Sequence, residues 1–422
     1  MQNSTELLLM NSSIPGRTDR CDVRISDGTI AAIEPSGRSY VGDVDSARVD
    51  LDGYVLTSAA AEPHAHLDKA FLADRAPNKA GDLLGAIHAL RATYATLTGD
   101  DVVTRAHRAL DTAVARGFTA VRTHADIDPV LGLTGVHALL DVCRVRTDLD
   151  LTVVGMVSQP FTGSDGAQRR KLLDDAIAAG VHAVGGAPAL DPEPRTAVKE
   201  LVACAADAQL PIDLHLDETL DPSSRTLDTF VDEVERRGLG GRAVASHCVS
   251  LGMRPPADVA ETARRLAGAG IALVTLPQTN LGLQGRDYQT QVPRSIPPLR
   301  SLLAAGVVVA GGGDNWRDMF NPMGRIDPFE TAALLVAAGH LTPEEAWTAV
   351  TLAARASIGL PATGLVVGAA AELMAIRAGS LEDAIASATE ARIVIHRGGV
   401  VARTDVHTQL AQTAVSSPEG EK

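Results

Sequence analysis

Scarcity of several residue types in this 422-residue sequence excludes whole classes of protein. Only four cysteines occur and no two of them lie close together, so neither a disulfide framework nor a paired-cysteine metal or redox site is expected. No continuous apolar stretch approaches the ~20 residues that a membrane helix requires. The first residues also lack the basic segment of a secretory signal. We therefore expect a cytoplasmic protein in a reducing compartment.

Positive charge is also in short supply. Lysine and arginine total 38 against 52 aspartates and glutamates, which gives a net charge of −14. Polymeric phosphates and anionic membrane surfaces bind to cationic surfaces, so neither nucleic acid nor a membrane is predicted as a partner. Aromatic residues make up only 3% of the chain. The core must therefore consist mainly of alanine, valine and leucine.

From residue 54 onward, apolar stretches of strand length alternate with amphipathic stretches of helix length. Eight strands are predicted, at residues 54–60, 118–124, 151–159, 182–187, 211–217, 242–247, 271–277 and 307–313. Apolar strands separated by helices are typical of a parallel sheet covered by helices. Eight such units favour a (β/α)₈ TIM barrel. An open, doubly wound sheet is the alternative, although no glycine-rich dinucleotide motif follows the first strand.

Short strand-like segments lie outside this alternation at both ends of the chain. Asp27-Gly28 and Asp52-Gly53 each separate two apolar segments, which predicts two hairpins. Similar segments return at residues 372–376, 393–396 and 400–401. We therefore expect an α/β fold in which a small β-sandwich domain, built from both chain termini, accompanies the barrel. The predicted division is 1–57 and 363–405 for the sandwich, 58–362 for the barrel and 406–422 for a C-terminal tail.

Polar residues that can bind metal or move protons lie at the ends of most of the predicted barrel strands. Active sites of such barrels lie at the C-terminal strand ends, where these side chains would meet. The residues are His64, His66, His124, Gln159, His215, Glu218, His247 and Asp314. Alone, His64 and His66 are weak evidence, because two surface histidines at this spacing are as plausible. Recurrence at several strand ends favours a functional site.

The donor types in this set are those of a metal site. Imidazoles combined with a carboxylate suit Zn²⁺ or Fe²⁺, and such an ion lowers the pKa of bound water from ~16 towards ~7. One carboxylate can take the released proton while a second delivers a proton to a leaving group. Asp314 and Glu218 are the candidates. Each also has a structural interpretation, Asp314 as a turn residue after three glycines and Glu218 as a carboxylate at a helix N-terminus.

Several short motifs surround these residues. They are PHAHLDK (63–69), VRTHAD (121–126), DLHLDE (213–218), SH (246–247), LQGR (283–286) and GDN (313–315). In this order they resemble the amidohydrolase superfamily and, within it, the cytosine deaminase-like branch. The resemblance implies a TIM barrel with a split β-sandwich. It also implies that one metal ion is bound by His64, His66, His215 and Asp314.

The same resemblance implies roles for further residues. His247 would hold the attacking water by a hydrogen bond, Glu218 would carry a proton to a ring nitrogen of the substrate, and Gln159 would contact the amide edge of the ring. Relatives with two metal ions carry a carboxylated lysine on the fourth strand, which this chain lacks, so a mononuclear site is expected. Asn315 stands where cytosine deaminases of the family have a second aspartate, and an amide donates as well as accepts hydrogen bonds.

Aromatic residues and a long polar segment complete the predicted cleft. Trp316 and Phe320 would form a wall for a flat ring, or would pack the rim of the barrel. Residues 278–295 have no regular period and would form either a cover over the active site or a surface loop. Within that segment, Gln284 and Arg286 would contact substrate in the first case and solvent in the second.

The predicted function is hydrolytic deamination of a cyclic amidine or nucleobase such as cytosine, with release of ammonia and with one divalent metal ion, Zn or Fe. The expected partner is a small heterocyclic molecule, and Asn315 leaves ureas and aminotriazines open as well. An alternative hydrolase would remove an alkylamine from an N-substituted aminotriazine of the isopropylammelide type. A non-catalytic barrel that only binds a ligand is the alternative of another class. Relatives are often oligomers, so a homo-oligomer is compatible with this interpretation.

Overall fold

The structure, a computed structural model, describes residues 6–37 and 47–410. Residues 1–5, 38–46 and 411–422 lie outside the described residues, and with them most of the predicted C-terminal tail. Within the described ranges, no helix combines the length and the apolar character needed to cross a membrane. All four cysteines are free thiols.

Eight parallel strands form one sheet in which each strand lies beside its neighbours in the sequence. The strands are β6 (Ala60–Ala65), β7 (Phe118–Ile127), β8 (Asp150–Val157), β9 (Ala183–Gly186), β10 (Ile212–Leu216), β11 (Ala243–His247), β12 (Ala272–Thr275) and β13 (Val309–Gly311). The first and last strands approach each other at a bridge between Ala65 and Asp314. The sheet is therefore a nearly closed barrel, and the predicted TIM barrel is confirmed.

Helices surround this barrel and bury one face against it. The helices are α1 (Leu83–Arg91), α2 (Gly99–Ala115), α3 (Thr134–Val145), α4 (Ala167–Ala179), α5 (Pro194–Asp207), α6 (Thr226–Arg237), α7 (Pro256–Gly268), α8 (Pro277–Leu283), α9 (Leu299–Ala304), α10 (Pro328–Ala337), α11 (Pro343–Val350), α12 (Leu352–Ser357) and α13 (Leu381–Ser387). In α2, the Thr98 side chain caps the N-terminus by accepting from the Asp101 N–H. Val102, Ala106 and Leu110 then follow at four-residue spacing and form its buried stripe.

Two four-stranded sheets lie outside the barrel, and the second of them combines strands from both ends of the chain. One has the order β3-β2-β1-β4, from β1 (Glu6–Ser12), β2 (Cys21–Ser26), β3 (Thr29–Pro35) and β4 (Ala47–Asp50). The other has the order β16-β15-β14-β5, from β5 (Tyr54–Ser58), β14 (Leu373–Arg377), β15 (Arg392–His396) and β16 (Gly399–Thr404). Leu9, Val23, Leu56 and Ile395 share one apolar core between the sheets. An additional sheet domain therefore accompanies the barrel, while the exact domain boundaries stay a prediction.

Three details of the predicted organisation are wrong. The first predicted barrel strand, 54–60, is mainly β5, which pairs with β14 in the terminal sheet; the barrel begins only at Ala60. Because the whole stretch 54–65 is buried, its apolar pattern contains no break between the two strands. The hairpin at Asp52-Gly53 does not form, since β4 pairs with β1 instead. Finally, α8 occupies the start of the segment 278–295 that was expected to be irregular.

Candidate active site

Four side chains from three places in the barrel converge on one point. His64 lies on β6 and His66 just after it, His215 lies on β10, and Asp314 follows β13. The Nε2 atom of His215 is 3.0 Å from Nε2 of His64 and 3.3 Å from Nε2 of His66. Asp314 Oδ1 is 3.7 Å from Nε2 of His64 and 3.2 Å from Nε2 of His66. The structure thus brings together the four residues predicted as metal ligands.

Four of the six distances within this group are close to those of a tetrahedral metal site, and the donor types are those of such a site. Ligand atoms about 2.05 Å from a common centre lie about 3.3 Å apart along each edge of a tetrahedron. Burial and the neighbouring imidazoles lower the pKa of His64 and His215 well below the ordinary value, so both are neutral, the form that binds metal. Asp314 Oδ1 is buried and accepts no hydrogen bond from the described residues. Three imidazoles and a carboxylate fit a divalent metal ion.

Glu62 ties together the two strands that carry these ligands at the seam of the barrel. Its Oε1 accepts from the His64 N–H at 3.1 Å, and its Oε2 accepts from the Gly313 N–H at 2.8 Å. Burial raises the pKa of Glu62 to about 8. A Cβ atom at position 312 would lie 2.5 Å from Glu62 Oε1, which explains why this position, two residues before Asp314, is a glycine. Burial likewise raises the pKa of Asp314 to about 7.

His247 and Glu218 form a second polar group beside the ligands. His247 Nδ1 is 3.5 Å from Glu218 Oε1. Asn280 lies between them, because its Nδ2 donates to Glu218 Oε1 at 3.2 Å and is 3.1 Å from His247 Nδ1. In this arrangement the other ring nitrogen of His247, Nε2, has no partner among the described residues. Burial raises the pKa of Glu218 to about 8, within the range useful for moving a proton near neutral pH.

The chain positions Glu218 through the residue before it. Asp217 is buried, and its carboxylate accepts hydrogen bonds from the Thr226 and Leu227 N–H groups at the start of α6. Arg254 donates to the same carboxylate at 3.2 Å. These contacts hold the backbone in place after the end of β10 and so determine the position of Glu218, the next residue. The DLHLDE motif therefore contains a structural aspartate as well as the two predicted functional residues.

A cleft of about 750 Å³, including its open mouth, lies over these residues. Gln159 and Asn315, predicted to contact substrate, both line it. Both polar atoms of the Gln159 amide are buried and have no partner among the described residues. The Asn315 amide is held on both sides, since its Nδ2 donates to Asp318 Oδ2 at 2.9 Å and its Oδ1 accepts from Thr279 at 3.3 Å. Gln159 is therefore ready to pair with a ligand, and Asn315 has a fixed orientation.

Of the two interpretations of Trp316, a wall for a flat ring and packing within the barrel, the structure favours packing. The Trp316 side chain is 1% exposed and belongs to the main apolar core, where its ring centroid is 6.3 Å from that of Phe118. Its neighbour Phe320 does line the cleft. Position in the sequence relative to Asp314 could not separate these two aromatic residues, because the chain turns sharply there: Asp314 and Arg317 both have positive φ angles, 59° and 57°.

Several polar residues in or beside the cleft had no predicted role. Lys69 Nζ is 3.0 Å from Asp126 Oδ1, 3.2 Å from Asp68 Oδ1 and 3.1 Å from His66 Nδ1. The Tyr94 hydroxyl donates to Asp126 Oδ2 at 2.8 Å. Lys69 lies in the PHAHLDK motif and Asp126 in the VRTHAD motif. The charge of each residue was the available sign that it has a role in the site.

Residues of α1 line the cleft, and the predicted covering segment 278–295 lies beside it. Leu83, Ile87 and Leu90 of α1 line the cleft with apolar side chains. From the segment 278–295, Gln284 donates to the Glu218 carbonyl at 3.1 Å, and Arg286 lies against Gly81. These contacts put the segment beside the acid–base group. Its action as a lid stays a prediction.

Fold and site together define a TIM-barrel hydrolase with a histidine-rich centre at the C-terminal strand ends. The chain belongs to the amidohydrolase family, whose sequence profile matches residues 84–402. It is 29% identical to a pterin deaminase of Rhizobium rhizogenes over 95% of both chains. Among solved structures, it resembles 5-methylcytosine deaminase of Klebsiella pneumoniae liganded with 5-fluorocytosine, with 26% identity, a TM-score of 0.87 and coverage of 96% of this chain and 99% of that one.

A third relative represents the alternative reaction. The structure resembles N-isopropylammelide isopropylaminohydrolase of Burkholderia multivorans, with 28% identity, a TM-score of 0.80 and coverage of 94% of this chain and 98% of that one. The predicted family is confirmed by these comparisons, and deaminases are among the relatives.

Proposed function

We propose that this protein is a hydrolytic deaminase of cyclic amidines that works with one divalent metal ion. One observation carries the proposal: a single cleft is lined by three of the four converging ligand candidates (His66, His215 and Asp314), by the carboxyl group of Glu218 and by the Gln159 amide, which has no partner among the described residues. The proposed ligands are His64, His66, His215 and Asp314. A non-catalytic binding barrel would have no need for a carboxyl group whose pKa is raised to about 8 beside the ligands.

The reaction adds water to an amidine carbon and releases ammonia. A divalent ion at the four ligands would lower the pKa of a bound water and so supply hydroxide near neutral pH. Asp314 accepts the proton that the attacking water loses. Glu218 delivers a proton to the ring nitrogen beside the reacting carbon, so that the C–N double bond opens into a tetrahedral centre. Asp314 then passes the proton it took from the water to the exocyclic amine, the hydroxyl of the tetrahedral centre returns a proton to Glu218, the C–NH₂ bond breaks, and a ring carbonyl and NH₃ remain.

His247 supports this addition through its fixed orientation. Asn280 Nδ2 faces His247 Nδ1 at 3.1 Å, which assigns the ring hydrogen to Nε2. His247 also lines the cleft, and its Nε2 has no partner in the described parts of the chain. An N–H in this position can donate to the oxygen of the attacking water and to the oxygen that replaces the amine.

The cleft favours a ring with an amide or amidine edge and with additional apolar surface. The Gln159 amide offers one donor face and one acceptor, which together complement a ring –NH–C(=O)– edge. Leu83, Ile87 and Phe320 add an apolar wall beyond that edge. A bicyclic aminopteridine would use this wall more fully than cytosine, in agreement with the pterin deaminase named among the relatives.

The same apolar wall supports a second candidate function. An N-isopropyl group on an aminotriazine would also contact these side chains, and one relative is named for that reaction. The leaving group would then be an alkylamine.

We also propose that the protein works in the cytoplasm, which the four free thiols support.

The test is a substrate screen with protein loaded with Zn²⁺ or Fe²⁺. Pterin, isocytosine, cytosine and N-isopropylammelide are each assayed for ammonia and for isopropylamine. We expect ammonia from at least one cyclic amidine, and loss of both activity and bound metal in His215→Ala. His137→Ala is the matched control, because His137 is an exposed helix residue. No product from any of these compounds, or full activity in His215→Ala, would contradict the proposal.

A further inference from the structure

Two buried side chains, Asp213 and Ser246, form a hydrogen-bonded series with the proposed ligand His64 beneath the ligand cluster, and these two have no part in the reaction described above. Ser246 Oγ donates to Asp213 Oδ1 at 2.8 Å, and His64 Nδ1 is 3.0 Å from the same Oγ. Asp213, Ser246 and His64 have no solvent exposure. On its other side, Asp213 Oδ2 accepts from Arg122 at 3.2 Å, and Arg122 also donates to the Ile358 carbonyl at 3.1 Å.

The strands bring the members of this hydrogen-bonded series together from four places in the barrel. Asp213 lies two residues before the ligand His215 on β10, so both side chains point to the same side of the strand. Ser246 on β11 is paired directly with His215 across the sheet. His64 comes from β6 and Arg122 from β7. The barrel therefore holds a polar layer directly below its metal-ligand atoms.

A count of the available hydrogens shows which atom donates in each of these hydrogen bonds. A serine hydroxyl has one hydrogen and two lone pairs, whereas an ionised carboxylate only accepts. Since Ser246 gives its hydrogen to Asp213, it faces His64 Nδ1 with a lone pair. The His64 ring must then carry its hydrogen on Nδ1. A neutral imidazole has only one such hydrogen, so Nε2, which points at the other ligand atoms, is left with a free lone pair.

We propose that Asp213 is a positioning residue that acts through Ser246 to hold His64 in the tautomer able to bind metal at Nε2. Partners of this kind, one bond behind a ligand, orient the ring and strengthen its binding. The Arg122 guanidinium supplies the counter-charge that lets Asp213 stay buried. The other histidine ligands lack such a partner: His215 Nδ1 has no hydrogen-bond partner among the described residues, and His66 Nδ1 faces the Lys69 ammonium, which only donates and by the same count favours the His66 hydrogen on Nε2 in the metal-free protein.

A simpler role for the same residues is structural. Asp213 and Arg122 form a buried ion pair, and such a pair can fill the barrel interior without any effect on metal binding. The two roles differ in what Ser246 does. Removing the Ser246 hydroxyl leaves the ion pair with Arg122 in place, so a purely structural role predicts no change in metal affinity.

The test measures Zn²⁺ affinity by chelator competition on metal-stripped protein, together with thermal unfolding of the same samples. For Ser246→Ala we expect a 10- to 100-fold weaker affinity, as is usual for loss of a group behind a metal ligand. Ser246→Thr keeps the hydroxyl and should keep the affinity, even where its extra methyl group lowers the unfolding temperature. Ser12→Ala is the matched control, because Ser12 is a fully buried serine with one hydrogen bond in the terminal sheet.

Asp213→Asn gives a second arm with the opposite direction of hydrogen bonding. An asparagine Nδ2 donates to Ser246, which then turns its own hydrogen towards His64 Nδ1 and drives the ring hydrogen onto Nε2. We expect an affinity loss at least as large as in Ser246→Ala. The tautomer itself is read by ¹⁵N NMR on metal-free protein labelled at histidine, with the His64 hydrogen on Nδ1 in the wild type and on Nε2 in Asp213→Asn.

The outcomes separate this inference from the proposed function on which it rests. Wild-type affinity in Ser246→Ala, or an equal loss in Ser12→Ala, would overturn the positioning role and leave the metal site intact. A His64 hydrogen on Nε2 in the metal-free wild type would overturn it as well. A wild-type protein that binds neither Zn²⁺ nor Fe²⁺ would instead overturn the proposed function and the positioning role together.

Discussion

Replacing Glu218 with glutamine removes the proposed proton carrier and leaves its surroundings almost unchanged. The carboxyl oxygen Oε1 accepts from Asn280 Nδ2 at 3.2 Å, and a glutamine Oε1 can accept the same hydrogen bond. The Gln284 side chain contacts only the main-chain carbonyl of Glu218, which the substitution does not touch. None of the four proposed metal ligands is altered. The variant therefore separates proton transfer from folding and from metal binding.

The expected loss follows from the role assigned to the carboxyl group. Positioned acid–base groups contribute about 10²- to 10⁴-fold to rate, which corresponds to about 2.7–5.4 kcal/mol of barrier. We expect kcat to fall by that factor in Glu218→Gln. KM should change little, because substrate is held by the amide edge at Gln159 and by the apolar wall. Metal content should remain at the wild-type level.

The assay is ammonia release on the best substrate of the screen, with metal content measured on the same samples. Glu193→Gln is the control, because Glu193 is an exposed glutamate in the loop after β9. A Glu218→Gln variant that keeps more than about a tenth of wild-type kcat would refute proton transfer by Glu218. A variant that loses its metal would instead identify Glu218 as part of the metal site.

The raised pKa gives an independent check on metal-free protein. Burial raises the pKa of Glu218 from 4.5 to about 8, so the folded state keeps a proton that the unfolded state releases. Its contribution to stability is therefore highest below pH 4.5 and is lost as pH rises to about 8. Glutamine has no proton to lose. In urea unfolding, the stability of Glu218→Gln relative to wild type should increase across this interval, and a constant difference would contradict the assigned pKa.

Two further substitutions test the supports of the site through stability. Gly312→Ala would put a Cβ atom 2.5 Å from Glu62 Oε1, and we expect a loss of about 1–3 kcal/mol in urea unfolding; an unchanged midpoint would contradict the close packing at the seam. Lys69→Met would leave Asp68 and Asp126 buried without their cation, with an expected loss of about 3–5 kcal/mol. A loss below about 1 kcal/mol would mean that the two carboxyl groups do not depend on Lys69.

The barrel could be predicted from the sequence because its strands are short, apolar and separated by helices. The exact start of the first strand could not. Residues 54–65 are buried without interruption, yet Tyr54–Ser58 pairs with β14 from the far end of the chain. A local hydrophobic pattern indicates that a strand is buried but not which strand pairs with it. Two consecutive buried strands in different sheets therefore give the pattern of a single strand. The false hairpin at Asp52-Gly53 has the same origin.

The meeting of polar side chains could be predicted because parallel strands end at the same edge of the barrel, whereas the choice of four ligands among them came from the resemblance to the family. The residues that orient those ligands could not, since their role depends on partners distant in the sequence. Asn280 lies 62 residues from Glu218 and 33 from His247. It also lies in a segment whose helix, α8, has only seven residues and therefore gives almost no periodic signal.

Strand periodicity nevertheless contains a signal for the layer below the ligands. Arg122 precedes His124 by two residues on β7, and Asp213 precedes His215 by two residues on β10. Side chains two apart on a strand face the same side, so each charge must lie one level below its histidine inside the barrel. Two buried charges of opposite sign at the same level must pair across the interior, as they do at 3.2 Å. A charged residue two positions before a strand-end histidine thus predicts a buried partner in the layer below the site.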